Sequence, residues 1–499
     1  MHRLGLERSL VDRDVYRRTV DRFREAGIVL PTFAQLADPT SIPKEISERL
    51  AAVGPDDPHP LNLFRVHWFN GADRKRRVDV PQHLVLTKEL TGVEAPIVVM
   101  LGDRFPMIGA HKVLAAYGCL VPRVVTGQFD PTHQRAVWPS TGNYCRGGVA
   151  ISRLMRSRGV AVLPEGMSQE RFRWLEGWVE NQADIIKTPG TESNVKEIYD
   201  RCAELDRDPD NVIFNQFSEF GNHLVHYLCT GRAAEQVTEF LTAGQPGLRA
   251  RAFVSATGSA GTIAAGDYLK ERLGSLTVAV EALECPTMLN NGFGEHNIQG
   301  IGDKHIPLIF NAMNVDMVVA VSDRATDQLN LLYQSPDGRR YLSDRREVPD
   351  GMIAGLASFG LSSICNIVAA IKAATYYGWG PDDAVLTVAT DGASMYRTEA
   401  DKYLARHYQG DFDGRAAAAI FGEHVLGAGT DNLLELSVRE RERIFNLGYY
   451  TWVEQQGISI EEFIARRDQR YWREMRSILP EWDVMIGELN AQTAAVKAR

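Results

Sequence analysis

The fold is decided by the stretch AFVSATGSAGTIAAGDYLKERL, residues 252–273. It begins with an apolar, strand-like run (252–255), passes through a turn of small residues (258–262) and continues as a helical pattern to residue 273. A short apolar run, a cluster of small residues and an amphipathic run are typical of a strand, a tight turn and a helix. We therefore predict one strand–turn–helix unit here, with its turn at the carboxyl end of the strand.

The same alternation of strand-like and helical runs extends from about residue 79 to residue 396. Alternation at this spacing predicts an α/β fold with parallel sheets that are covered by helices on both faces. Catalytic loops of such sheets lie at the carboxyl ends of the strands. Other strand-like runs are residues 96–100, 161–164, 277–281, 316–321 and 384–390.

Two flanking regions lack the alternation. Residues 1–78 are predicted as an N-terminal extension, and residues 397–499 as a mainly helical C-terminal extension whose tryptophans are either buried in the subunit or part of a dimer interface. The polar segment 333–349 contains Ser-Pro-Asp-Gly and is predicted to be an exposed excursion.

Composition narrows the class of protein. The 499 residues are 44% apolar and 24% charged, which is typical of a soluble globular protein. A net charge of −9 without a concentrated basic face argues against nucleic-acid binding. The six cysteines form no C-x-x-C pair, and the histidines show no metal-ligand spacing, so we expect a reducing compartment and no metal. No apolar run predicts a signal peptide or a membrane span, and we expect a cytoplasmic protein.

Three short motifs bear on the chemistry. The turn 258–262 (GSAGT) precedes a helix, whose N-terminus favours an anion, although a plain tight turn is the alternative. Residues 140–144 (STGNY) also precede a helical run and suit a carboxylate, with an ordinary helix cap as the alternative. Lys112 stands at the start of an apolar helical run, where desolvation would favour the neutral amine, while a surface lysine is the alternative.

Taken together and in this order, these motifs resemble the cysteine synthase and cystathionine β-synthase family of fold-type II pyridoxal-phosphate enzymes. The resemblance covers about residues 80–396. It rests on GAHK (109–112), STGN (140–143), PEGMSQER (164–171), Gln216-Phe217 with Asn222 and His226-Tyr227, GSAGT (258–262), and HNIQGIG (296–302) with Ile306-Pro307.

The resemblance implies a tryptophan synthase β-like fold of two α/β lobes, with a mobile lobe at about 125–235, and roles for individual residues. Lys112 would carry the cofactor as a Schiff base and move protons at Cα. Asn143 would contact the oxygen of the cofactor ring. The phosphate would be bound by Gly258, Ser259, Ala260, Gly261 and Thr262. The substrate would be bound by Ser140, Thr141, Gly142, Asn143, Tyr144 and Gln216.

Two departures from the family pattern affect the site. Tyr144 replaces the threonine of the family loop and either reshapes the substrate site or simply packs. The family's Pro-Asp-Ser-Gly stretch reads Ala-Thr-Asp-Gly at 389–392, so either Thr390 or Asp391 would face the pyridine nitrogen. The sequence leaves both alternatives open.

The implied activity is β-replacement or β-elimination on a serine- or cysteine-type amino acid through an aminoacrylate intermediate. An ammonia-lyase, dehydratase or desulfhydrase is the alternative within the class. A catalytically silent cofactor-binding partner protein is the alternative from another class. The partners we expect are an amino acid, a small nucleophile and a second copy of the chain in a homodimer.

Overall fold

The computed structural model describes residues 4–192, 194–302 and 304–494. Within this part of the chain the strands form two sheets. The strands are β1 His83–Leu86, β2 Ile97–Leu101, β3 Arg135–Pro139, β4 Arg158–Pro164, β5 Ile185–Thr188, β6 Asn211–Ile213, β7 Arg249–Ala256, β8 Leu276–Ala282, β9 Met317–Val321, β10 Asp383–Ala389 and β11 Leu433–Glu435.

Helices fill most of the remaining described chain. The α-helices are α1 Arg13–Ala26, α2 Phe33–Ala37, α3 Lys44–Ala51, α4 Lys88–Thr91, α5 Lys112–Val125, α6 Asn143–Leu154, α7 Gln169–Trp178, α8 Val195–Leu205, α9 Phe220–Val225, α10 Gly231–Gly244, α11 Ala264–Leu273, α12 Thr287–Asn290, α13 Asp323–Gln334, α14 Pro336–Arg346, α15 Asp350–Gly355, α16 Leu361–Tyr377, α17 Arg397–Tyr408, α18 Gly414–Phe421, α19 Val438–Leu447, α20 Ile460–Ala465, α21 Gln469–Arg476 and α22 Ile478–Ala494. Short 3-10 helices span Pro39–Ser41, Pro60–Arg65, Gly102–Arg104, Gln182–Asp184, Ala312–Asn314, Leu356–Ser358 and Ala393–Tyr396, and π-helical turns span His226–Thr230, Gly422–Leu426 and Tyr450–Gln455.

The larger sheet has the strand order β1-β2-β10-β7-β8-β9-β11. Its five inner strands run parallel, and β1 and β11 pair antiparallel at the two edges. Inner strands such as β2 (IVVML) and β9 (MVVAV) are buried along their whole length. Continuous apolar strands are typical of a parallel sheet that is covered on both faces, which confirms the predicted α/β class.

The smaller sheet is wholly parallel and has the order β5-β4-β3-β6. It is formed by residues 135–213 and carries α6 after β3. Helix α5 contacts both α6 and α9, and every residue from 113 to 125 of this helix is buried. The apolar sequence VLAAYGCLVP (113–122) therefore forms a core helix that holds Lys112 at its N-terminus.

The prediction of an exposed excursion at 333–349 is wrong. The segment forms the end of α13 and all of α14, and Leu342 and Val348 are buried. Ser335 caps α14 by accepting a hydrogen bond of 3.0 Å from the amide of Gly338, and Pro336 occupies the first helical position. Ser-Pro is typical of a helix start as well as of a turn. The prediction considered only the turn, whereas the structure has the helix start.

The C-terminal region packs onto the α/β core. Strand β11 pairs with β9, and α22 contacts α1 and α5. Trp452, Trp472 and Trp482 are buried inside the subunit. Arg476 of α21 pairs with Asp267 of α11 at 2.6 Å, so this region supports the helix that follows the turn 258–262. None of the described helices has the length and apolar character needed to cross a bilayer.

Candidate active site

Lys112 and the turn 258–262 meet between the two sheets. Lys112 is the first residue of α5, and its Nζ atom donates a hydrogen bond of 3.1 Å to Oγ of Ser259. Ser259 also accepts a bond of 3.0 Å from Nδ2 of Asn222. The predicted lysine therefore lies against the predicted anion-binding turn rather than on the surface.

The turn 258–262 has the form of an anion cradle. Ala260 adopts a left-handed conformation (φ 60°), and a Cβ atom at Gly261 would overlap the side-chain amide of Asn222. Among the described residues, no amide of 258–262 donates to another backbone group, and α11 begins directly after the turn. Unused amides at a helix N-terminus favour a phosphate-like group. Nε2 of His111 lies 2.9 Å from Oγ1 of Thr262 and braces the far end of the turn.

Two adjoining cavities open around Lys112. The first cavity, about 360 Å³, is lined by Lys112, Ser140, Thr141, Asn143, Tyr144, Glu192, Gln216, Phe217, Gly258, Ser259, Gly300 and Thr390. The second cavity, about 330 Å³, is lined by Lys112, Ser255, Ala256, Gly258, Ala260, Gly261, Thr262, Gly300, Ile301, Asn366, Val388 and Thr390. The first cavity therefore collects the substrate residues predicted from the sequence except Gly142, and the second collects most of the predicted phosphate turn.

Gly142 stands behind the first cavity. It has φ 150°, and a Cβ atom there would overlap the side chain of Arg171. Its position after β3 lets the chain turn sharply into α6, which begins at Asn143. Tyr144, one residue further, is buried and packs edge-on against Trp138 at 5.4 Å while it lines the cavity.

Asn143 and Asp391 are directly bonded. Nδ2 of Asn143 donates to Oδ2 of Asp391 at 2.7 Å, and the same oxygen accepts from the Tyr396 hydroxyl at 2.8 Å. Asp391 is fully buried, and burial raises the pKa of its carboxyl against the opposing influence of Arg171. Thr390 lines both cavities, whereas Asp391 lies behind Asn143.

Two buried arginines beside this network were missed by the sequence analysis. Arg146 donates to Oδ1 of Asn143 at 2.9 Å, and Arg171 donates to the Tyr396 hydroxyl at 3.0 Å. Burial lowers the pKa of Arg146 to about 10. Arg171 ends the PEGMSQER motif, which had signalled the family but not this role. Arg146 lies one turn after Asn143 in α6, and no motif marked it.

Glu192 was also missed. It follows β5 in the loop before α8, lines the first cavity and is almost fully buried. Burial raises the pKa of its carboxyl to about 7. Its only sequence signal is its place after a strand of a parallel sheet, where functional loops gather. No group of His, Cys, Asp or Glu suited to a metal occurs among the described residues.

These residues fit pyridoxal phosphate. Lys112 offers an amine to the aldehyde, and the amides of 258–262, which make no backbone hydrogen bond among the described residues, are available to a phosphate. The side-chain amide of Asn143 lies on the wall of the cavity that contains Lys112. The site thus has the functional groups that a lysine-bound aldehyde cofactor requires.

Comparisons with known proteins bear on the class of the protein. No family model matches the chain. It is 28% identical over 262 residues to a cysteine synthase of Staphylococcus aureus, which covers 52% of this chain and 74% of the relative. It is 29% identical over 255 residues to cysteine synthase B of Campylobacter jejuni, with 50% and 74% covered.

Solved structures share the fold. The O-acetylserine-dependent cystathionine β-synthase of Helicobacter pylori superposes with a TM-score of 0.51 at 22% identity, over 64% of this chain and 95% of the other. The cysteine synthase of Entamoeba histolytica gives a TM-score of 0.53 at 20% identity, with 71% and 98% covered. The chain is therefore a pyridoxal-phosphate enzyme of fold type II. Its sequence is similar to those of cysteine synthases and of a cystathionine β-synthase, and this similarity supports pyridoxal-phosphate-dependent β-replacement or β-elimination in general.

Proposed function

We propose that the chain binds pyridoxal phosphate on Lys112 and acts on a serine- or cysteine-type amino acid. The observation that carries the proposal is the 3.1 Å hydrogen bond from Nζ of Lys112 to Ser259, because it sets the amine beside the anion cradle and inside the first cavity. In this assignment residues 258–262 hold the cofactor phosphate. Asn143 would hold the ring oxygen, and the Thr390 hydroxyl, which lines both cavities, would be a hydrogen-bonding partner for the ring.

The substrate carboxylate is assigned to the loop before α6. Ser140, Thr141 and Gln216 line the first cavity with hydroxyl and amide groups, and the N-terminus of α6 points its dipole toward the same place. Lys112 lines the same cavity. A small amino acid held by its carboxylate here therefore has its Cα within reach of the lysine.

The bond changes follow from these positions. Pyridoxal phosphate, when bound, accepts the electron pair that remains after the Cα proton is removed. Lys112 takes that proton, and the leaving group departs from Cβ with the electron pair of its bond. In β-replacement a nucleophile then bonds to Cβ, whereas in β-elimination water releases ammonia and a keto acid. The walls of the cavity would hold both reactants.

Closure of the smaller lobe completes this proposal. Residues 125–235 contain the smaller sheet and the loop before α6, so a movement of this lobe would bring Ser140 and Thr141 onto the substrate. Crystals grown with and without an amino acid test this directly. An unchanged relation between the two sheets would contradict it. We also propose a cytoplasmic homodimer, and light scattering tests its dimeric state.

A substrate panel tests the function itself. The cofactor-loaded protein is mixed with serine, O-acetylserine, O-phosphoserine or cysteine, while absorbance, pyruvate and sulfide are recorded. We expect a spectral change with at least one of the four and turnover of that compound. No spectral change with any of them would contradict the proposal and favour a cofactor-binding partner protein.

A further inference from the structure

Glu192 lines the first cavity, and the proposed function gives its carboxyl group no role. It lies in the loop between β5 and α8 and shares the cavity wall with Lys112, Thr141 and Gln216. Glu192 is only 2% exposed. Its Oε2 atom has no hydrogen-bond partner among the described residues. A buried carboxyl oxygen without a partner, on a residue that lines a cavity, is available to a ligand in that cavity.

The surroundings of Glu192 keep its carboxyl partly protonated near neutral pH. Burial raises the pKa of the carboxyl to about 7, and this influence outweighs the opposing ones. The groups that face it and favour its charge are the Arg171 guanidinium, the Thr141 hydroxyl, the Gly300 amide and the Lys112 amine. An acid with such a pKa can give up a proton at the pH at which the enzyme works.

We infer that Glu192 is the proton donor to a hydroxyl leaving group at Cβ, so that the enzyme accepts serine-type substrates whose hydroxyl is not activated. This inference rests on the proposed function. It follows from the set of residues that line the first cavity. An amino acid whose carboxylate is held by Ser140 and Thr141 must place its side chain among the remaining wall groups, and Glu192 is one of them.

The step balances without a further reagent. Lys112 takes the Cα proton, and the electron pair of that bond forms the double bond between Cα and Cβ. The Cβ–O bond breaks, and its oxygen leaves with the bonding pair. That oxygen takes the proton of Glu192 and departs as water, which leaves a carboxylate on Glu192. Hydroxide is a poor leaving group and needs this proton, whereas acetate and chloride leave as stable anions.

Glu192→Gln tests the inference because it keeps the size of the side chain and removes its acid. We expect pyruvate release from serine to fall about 100-fold, in the range of general acid catalysis. Release from O-acetylserine and 3-chloroalanine should change less than about threefold on the same principle. The equilibrium binding of alanine, followed by the absorbance of the bound cofactor, should stay unchanged, since alanine has no leaving group.

Two further variants separate a proton donor from a structural role. Glu192→Asp keeps an acid and should recover part of the activity with serine. Glu295→Gln is the matched control, because Glu295 is exposed and accepts a hydrogen bond from Thr191, the residue that precedes Glu192. We expect this control to keep the wild-type activity with all three substrates.

The pH profile gives a second readout. Glu192 is protonated below about pH 7, so wild-type turnover of serine should decline as the pH rises through that value, and the decline should be absent from Glu192→Gln. Equal losses with serine and O-acetylserine would overturn the inference, and so would a wild-type enzyme that uses only the activated substrates. In both cases the proposed function would stand. A wild-type enzyme that turns over no amino acid would overturn both.

Discussion

Nζ of Lys112 donates a hydrogen bond of 3.1 Å to Oγ of Ser259, which joins the start of α5 to the turn after β7. The two residues are 147 positions apart in the chain and come from different strand–helix units. The bond makes the amine and the anion cradle parts of one site.

Ser259→Ala should weaken cofactor binding. The variant removes a hydroxyl that faces the first cavity and that accepts bonds from Lys112 and Asn222. The loss of one hydrogen bond to a charged group predicts an increase of about tenfold in the Kd for pyridoxal phosphate. Fluorescence titration of the apoprotein measures it. Ser275→Ala is the control, because Ser275 is buried but bonds to Ala250 away from the site. Equal Kd values for both variants would count against the cradle.

Gly261→Ala should abolish cofactor binding without unfolding the chain. The new methyl group would overlap the side-chain amide of Asn222 and displace the turn. We expect a protein with unchanged circular dichroism that no longer retains pyridoxal phosphate on gel filtration. Gly244→Ala is the control, since no atom lies within 4 Å of a methyl group there. Full retention of the cofactor by Gly261→Ala would contradict the assignment.

Thr390 and Asp391 can be distinguished by substitution. Thr390 lines both cavities, so Thr390→Val should shift the absorbance maximum of the bound cofactor and lower kcat about tenfold, the scale of one hydrogen bond. Thr390→Ser should restore both. Asp391 acts behind Asn143, and Asp391→Asn keeps an oxygen for that contact, so it should leave the spectrum unchanged. A shifted spectrum in Asp391→Asn and an unchanged spectrum in Thr390→Val would indicate that Asp391, not Thr390, contacts the cofactor ring.

Arg476→Ala should destabilise the folded protein. Arg476 pairs with Asp267. Burial raises the pKa of the Asp267 carboxyl, and the nearby arginine opposes part of that shift. Removal of one partner from a buried pair costs about 3–5 kcal/mol, because the remaining charge loses its opposite charge. Urea unfolding of the cofactor-loaded protein measures the change. Arg470→Ala removes an exposed pair with Asp468 and should leave the free energy of unfolding nearly unchanged. Similar costs for both would contradict a supporting role for the C-terminal region.

Much of the fold was predictable, because buried parallel strands are continuous apolar runs and their helices follow directly. The run at 252–255 and the helix up to Leu273 appear in the structure as β7 and α11. The segment 333–349 was not predictable in this way. Its polar residues cover a helix with few buried positions, and its Ser-Pro start has the same composition as a turn.

The candidate site was predictable where its residues stand in motifs. Lys112 and the turn 258–262 lie together because each motif follows the carboxyl end of a strand or starts a core helix. Glu192 and Arg146 are single residues without a pattern around them. Their positions in the site depend on how the two sheets are oriented relative to each other. The sequence pattern of individual strands does not reveal that orientation.

The central claim is that Lys112 carries the cofactor, and reductive labelling tests it most directly. The cofactor-loaded protein is reduced with borohydride, digested, and its peptides are analysed by mass spectrometry. The account predicts a pyridoxyl group on the peptide that contains Lys112 and none in Lys112→Ala. A pyridoxyl group on another lysine, such as Lys270 or Lys372, would contradict it.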